Sequence, residues 1–204
     1  ARLTISATDT EAMSELLPKV RLLDAFPNAD LQNVNDTDSP VVVVFGAMKK
    51  VGLALCQQAT GQYDYGAFRT PGVGVLTINA VYRNGRVVPT AEYTLIAGSG
   101  GSSLLRFVTA QIDGNGTPFN IQADVTATEF TSPANAVKFL LNDSTYGLGR
   151  AVNATSFATA VTAYSTLGMA IVGGLTQRRQ ASDILSDLLL YGAVLDKNTS
   201  SEYT

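Results

Sequence analysis

The sequence predicts an α+β fold: an antiparallel β-rich sandwich or partly closed barrel, followed by a smaller α+β part and preceded by an N-terminal helix. Three observations carry this reading. Short β-branched and aromatic runs recur at near-regular spacing between residues 41 and 130, divided by Gly, Asn and Asp turns. Apolar residues at the 3.6-residue period of a helix stand on both sides of that block. Within it, Asn84-Gly85 sits between alternating apolar residues, the strongest short-range signal for a two-residue hairpin. The expected organisation is therefore 1–40, helix and linker; 41–130, antiparallel β-rich domain; 131–204, α+β domain.

The elements follow in order. Thr8 and Glu11 have the spacing of a capping box, and Met13, Leu16, Leu17 and Val20 make one apolar stripe, so a helix is expected over 8–24. Pro18 falls inside the stripe and must kink the helix or restart it. Residues 27–40 form a polar connection. "VVVVF" (41–45), bounded by Pro40 and Gly46, is too short for a helix and reads as a buried strand. "LALC", "QYDYGAF", the hairpin "LTINAVYRNGRVV", "EYTLIA", "SLLRFVTAQI" and "FNIQADVTA" continue the strands, with turns at "GSGGS" and "DGNGTP". Helical periodicity returns after Thr131, where Ser132 is placed as N-cap and Pro133 as the first helical residue. A second helix is expected to end at Gly168 and a third at Gly192, with short strands at "AIVGGL" and "AVLDKN".

Composition narrows the chemistry. Of 204 residues 46% are hydrophobic and only 15% charged, so the surface must be rich in Ser, Thr, Asn and Gln, which suits a chain covered by neighbours. A net charge of −3 and only two adjacent basic pairs, Lys49-Lys50 and Arg178-Arg179, argue against nucleic-acid binding. No segment approaches the ~18 apolar residues needed to span a bilayer. The chain contains no histidine, which removes Ser-His-Asp and Cys-His machinery and every His-containing metal site. The single cysteine, Cys56, lies in the apolar run "VGLALC" and reads as a buried small hydrophobe. Neither cofactor nor metal is expected, and the chain is not expected to be an enzyme.

The remaining candidates divide between ligand chemistry and structure. "GSGGSS" (98–103) lacks the Lys-Ser/Thr and the helix a phosphate loop needs, and "DGNGT" (113–117) lacks the ligands to complete a calcium loop; both read as turns. Asp183 and Asp187 lie one helical turn apart, opposite Ile184, Leu185 and Leu188, as ordinary solvated acids. Tyr63, Tyr65 and Phe68, with Tyr63 and Tyr65 on one strand face and Asp64 on the other, read as core or interface packing, the alternative being an aromatic contact patch for a sugar or a partner. Tyr146-Gly147-Leu148-Gly149-Arg150 follows an apolar helix without a general base, metal set or phosphate cradle, and reads as an elbow between two helices or an assembly contact.

The segment holding that elbow, "FLLNDSTYGLGRAVNATSFATAVTAY", resembles phage tail-tip and baseplate-hub proteins of the tip attachment protein J-like family. There an "LL-x-(D/N)-x-x-YG-(L/M)-G" elbow precedes a helix rich in Ala and aromatics. "SPVVVVFGAMKKVGLAL", "INAVYRNGRVVPTAEYTL" and "TQRRQASDILSDLLLYGAVL" resemble further family segments in the same order, so the likeness spans most of 39–195. Larger members run on well past the matching point, so the chain answers to a minimal tail protein or a piece of a longer one. The resemblance implies a virion tail component made in the host bacterial cytoplasm, packed in a ring with other copies of itself and with other phage tail proteins. The alternative is an adhesin-like module that holds cell-surface glycan through Tyr63, Tyr65 and Phe68.

Overall fold

The computed structural model describes residues 10–30, 38–130 and 132–189. Its elements in chain order are α1 (Thr10–Ser14), β1 (Leu16–Leu17), α2 (Leu22–Ala25), β2 (Val43–Gly52), β3 (Leu55–Ala59), β4 (Gln62–Arg69), β5 (Leu76–Arg83), β6 (Arg86–Val87), β7 (Tyr93–Ala97), β8 (Ser102–Phe107), β9 (Ile121–Ala127), α3 (Pro133–Asn142), α4 (Ala154–Thr166), β10 (Gly173–Leu175), β11 (Arg179–Gln180) and α5 (Ala181–Leu189). The chain divides into two compact units, one drawn from Ala1–Val20, Phe130–Ile171 and Arg178–Thr204, the other from Arg21–Glu129 and Val172–Gln177.

The second unit is a sandwich, not a closed barrel. One sheet has the order β10-β2-β9-β5-β6 and the other β3-β4-β8-β7, with every pairing antiparallel. Alternation along the strands sends Val44, Val51, Phe68, Leu105, Phe107, Ile121 and Val125 into one shared core. Tyr65 meets Phe107 edge-on, with ring centroids 5.6 Å apart. The turn at Asn84-Gly85 forms as expected: both residues have positive φ, 48° and 80°, the geometry whose twist matches the flanking strands. Asn84 also accepts the Asn120 amide on its side-chain oxygen at 2.8 Å, which ties the turn to the start of β9.

Bulges re-aim the long strands. In β2 the register shifts between Met48 and Val51, and Lys50 there has φ 49°. The Asp124 carboxylate from β9 holds this bulge by accepting the Lys50 amide at 2.8 Å, and it also takes Lys49 Nζ at 3.2 Å and the Tyr82 hydroxyl at 3.0 Å. In β4 the shift falls between Tyr65 and Phe68, around Gly66 at φ 71°.

The first unit is mainly helical. Ser132 caps α3 by accepting the Asn135 amide at 3.3 Å, with Pro133 at the first position, and Asn153 caps α4 by accepting the Ser156 amide at 3.0 Å. Its core gathers Met13, Leu17, Val137, Leu140, Leu141, Phe157, Ile184 and Leu185, all buried.

The N-terminal helix departs from expectation. Thr8 lies outside the described residues, and the helix stops at Ser14 instead of running to 24. Leu16 and Leu17 extend and pair with Gln180 and Arg179, while Ala181 donates its amide to Glu15 O at 2.9 Å. Pro18 is the physical reason: it lacks an amide and disfavours a helical conformation at the residue before it, freeing Leu17 for strand pairing. The segment to Val20 thereby belongs with the C-terminal residues, and α2 with the sandwich, so 1–40 is divided between the two units. The expected helix end at Gly192 and the strand "AVLDKN" lie outside the described residues.

Candidate functional site

The elbow after α3 is a dense knot of backbone hydrogen bonds. A helix leaves its last carbonyls without intrahelical donors. Here the chain folds back so that Leu148 N donates to Leu140 O at 2.8 Å and Arg150 N to Leu141 O at 2.7 Å. Asp143 organises the turn. Its Oδ1 accepts the amides of Thr145 and Tyr146 at 2.9 and 2.7 Å, and its carbonyl accepts those of Gly147 and Gly149 at 3.1 and 3.0 Å. Asn142 Nδ2 donates to Arg150 O at 3.1 Å, and Lys19 N to Tyr146 O at 3.1 Å.

The two glycines have different tasks. A Cβ on Gly147 would lie 2.4 Å from Leu140 O and 2.9 Å from Asp143 O, so only glycine admits the close approach of backbone to backbone. Gly149 has space but φ 66°, so it is needed for its conformation. Tyr146 and Leu148 are buried, whereas Gly149 and Arg150 are exposed. Sequence reasoning placed the elbow and held Asp143 only as the (D/N) position of its motif, without the turn-capping role, although an Asp side chain can cap a turn by accepting the amide two residues on.

The structure bears out core packing for two of the three aromatics and leaves no contact patch made of all three. Tyr65 and Phe68 are buried, 3% and 0% exposed, inside the sandwich core, and Tyr63 packs against the same core at its edge. Asp64, expected opposite the tyrosines, is buried as well: Arg106 Nε and Nη2 donate to its two oxygens at 2.7 and 2.8 Å, and Gln57 Nε2 adds a third bond at 2.6 Å. The Arg106 bond is the main reason this carboxyl is held below its usual range. A second part-buried pair, Arg69 with Glu129, also binds the Gly72 amide through Glu129 Oε1 at 3.1 Å.

Other sequence candidates resolve as structure. Gly100 and Gly101, at φ 64° and 70°, shape the turn from β7 to β8. Asp113 accepts the amides of Asn115 and Thr117 at 2.8 and 2.9 Å, which closes the "DGNGT" turn. Asp183 and Asp187 are exposed, and Asp187 pairs with Arg179 at 2.8 Å. Cys56 is buried, and its thiol contacts Gly66 O at 2.9 Å. No group of three His, Cys, Asp or Glu suited to a metal occurs among the described residues. A cavity of about 170 Å³ in the sandwich unit, between Leu22, Val42, Leu53, Ala54 and Thr176, is lined without a charged side chain. A shallower hollow at the hairpin holds Arg83, but that guanidinium is engaged by Glu92 at 2.6 Å and Gln111 at 2.8 Å.

No protein-family model, curated protein or solved structure matches the chain.

Proposed function

We propose that the protein is a structural subunit of a phage tail end (tail tip, baseplate hub or other tail-end ring) and acts by assembly, without catalysis. The observation that carries this reading is the Tyr146–Arg150 elbow, the most specific point of likeness to tail-tip and hub proteins. Its backbone groups are engaged in closing α3, and Tyr146 and Leu148 are packed away, so its residues shape the chain. Large apolar side chains left at the surface, among them Val73, Val87, Val108, Leu167 and Val172 at 68–72% exposure, add area that neighbouring subunits would cover. Weak overall charge suits broad, uncharged contacts of this kind.

The test is co-assembly. Expressed together with the other tail-end proteins of its particle, the chain is expected to enter a complex of defined mass and to appear at the tail end in electron micrographs. A folded chain that stays outside every such complex, or that turns over a small molecule, overturns the reading.

A further inference from the structure

The four-stranded sheet ends at β7, whose sequence Tyr-Thr-Leu-Ile-Ala carries no charge and no proline. Natural edges of this length are usually blunted by a charge, a proline or a bulge. Here β7 pairs with β8 at all five positions without a register shift, so the edge is regular. Other sheet ends are less open. β6 has two residues and includes Arg86, β10 has three, and β3 is met at Leu55 by Asp30, whose amide donates to Leu55 O at 2.7 Å.

The direction of the free backbone groups follows from the ladder. Gly98 N donates to Ser102 O at 2.8 Å, so that pair is a hydrogen-bonded one. Antiparallel pairs alternate, which turns the amides and carbonyls of Thr94 and Ile96 toward β8 and those of Tyr93, Leu95 and Ala97 outward. Among the described residues none pairs with the outward side. Leu95, in the middle, is 42% exposed, and Thr94 and Ala97 are also exposed.

We propose that β7 is a docking edge for β7 of a second copy of this chain, antiparallel about a two-fold axis at Leu95. In that register Leu95 faces its own counterpart, and Tyr93 faces Ala97 in both directions. All three outward residues on each strand then exchange both backbone hydrogen bonds. Charge supports self-pairing: a residue near a two-fold axis meets its own kind, and neither strand brings a charge that would repel itself. The two four-stranded sheets become one continuous sheet. This pairing stands apart from the tail-subunit reading, because rings close through heterologous contacts while this one is isologous.

The experiment uses the full chain. Sedimentation equilibrium should give a dimer that Leu95→Lys weakens at least tenfold by placing two ammonium groups at the axis. Leu95→Pro should act alike, since the lost amide faces away from β8 and the strand can keep its own ladder. Leu95→Cys should be cross-linked between two chains by a short bismaleimide, because directly opposed hydrogen-bonded residues lie at a Cα separation of about 5.5 Å, within reach of such a bridge, while Cys56 is buried. Circular dichroism checks that each variant is folded. A wild-type monomer at 100 μM, an assembly unchanged in folded Leu95→Lys and Leu95→Pro, or a Leu95→Cys chain that does not cross-link would each overturn the proposal.

Discussion

Arg106 on β8 grips the buried carboxylate of Asp64 on β4 with two parallel hydrogen bonds, 2.7 and 2.8 Å long, across directly paired positions. The Asp64 side chain is 2% exposed and that of Arg106 29%, so the partners differ in what happens when one is removed. Replacement of Arg106 by Leu strands a buried charge, and the expected loss of stability is about 3 kcal/mol. Replacement of Asp64 by Leu leaves an arginine that can turn to water, so the loss should be clearly smaller. Urea unfolding of both variants and of the double replacement checks this; equal losses for the two single variants would contradict it.

The elbow predicts an order among glycines. Gly147→Ala drives a Cβ into two backbone carbonyls, which cannot move without opening the end of α3. The expected cost is about 3 kcal/mol, at the upper end for overpacking. Gly149→Ala meets only ordinary contacts but takes an alanine to φ 66°, at a cost of about 1–2 kcal/mol. Gly149→Asn should cost less still, since asparagine tolerates that region. Thermal unfolding of the three variants should rank them in this order, and a benign Gly147→Ala would show the knot to be looser than described.

Much of this was legible in the sequence where the chemistry is local. Asn84-Gly85 specifies its turn through φ alone, and Ser132-Pro133 specifies the start of α3 through one cap and one ring. Leu16 and Leu17 show the limit. Their spacing suits a helix, but their strand partners Arg179 and Gln180 are distant in sequence, and no window contains both. Tyr63, Asp64 and Tyr65 show another. Alternation assigns the tyrosines to one face and the acid to the other, but it cannot say that both faces are covered, or that Arg106 makes burial of Asp64 tolerable. Asp143 stands in the elbow motif as an acid-or-amide position, but its role is not legible there, because it acts through its place in a turn and not through a set of reactive groups.

Cys56 should be inert in the native state. Its side chain is buried and contacts Gly66 O, and burial, reinforced by the nearby Asp64 charge, pushes the thiol far above its usual range. A thiol reagent at pH 8 should label it on the order of 100-fold more slowly than a free cysteine, and stoichiometrically in guanidinium. Rapid native labelling would mean that the β3–β4 region opens readily.

The pH dependence of stability should be confined to the acid side. Asp64, Asp113 and Asp124 are all held below the ordinary carboxylate range, chiefly by the Arg106 bond, the Thr117 amide and the Lys50 amide respectively. A carboxyl lowered in the folded state contributes stability that is complete above its unfolded value, about 3.9, and is lost as pH falls through the folded value. With no histidine in the chain, nothing among the side chains ordinarily titrates between about pH 5 and 8. The unfolding midpoint should therefore be flat across that interval and fall steeply below about pH 4. Asp124→Asn should flatten the acid limb, because it removes one titrating group while its amide oxygen can still accept the Lys50 amide. A midpoint that falls between pH 7 and 5, or an acid limb unchanged in Asp124→Asn, would show that these bonds do not govern the response.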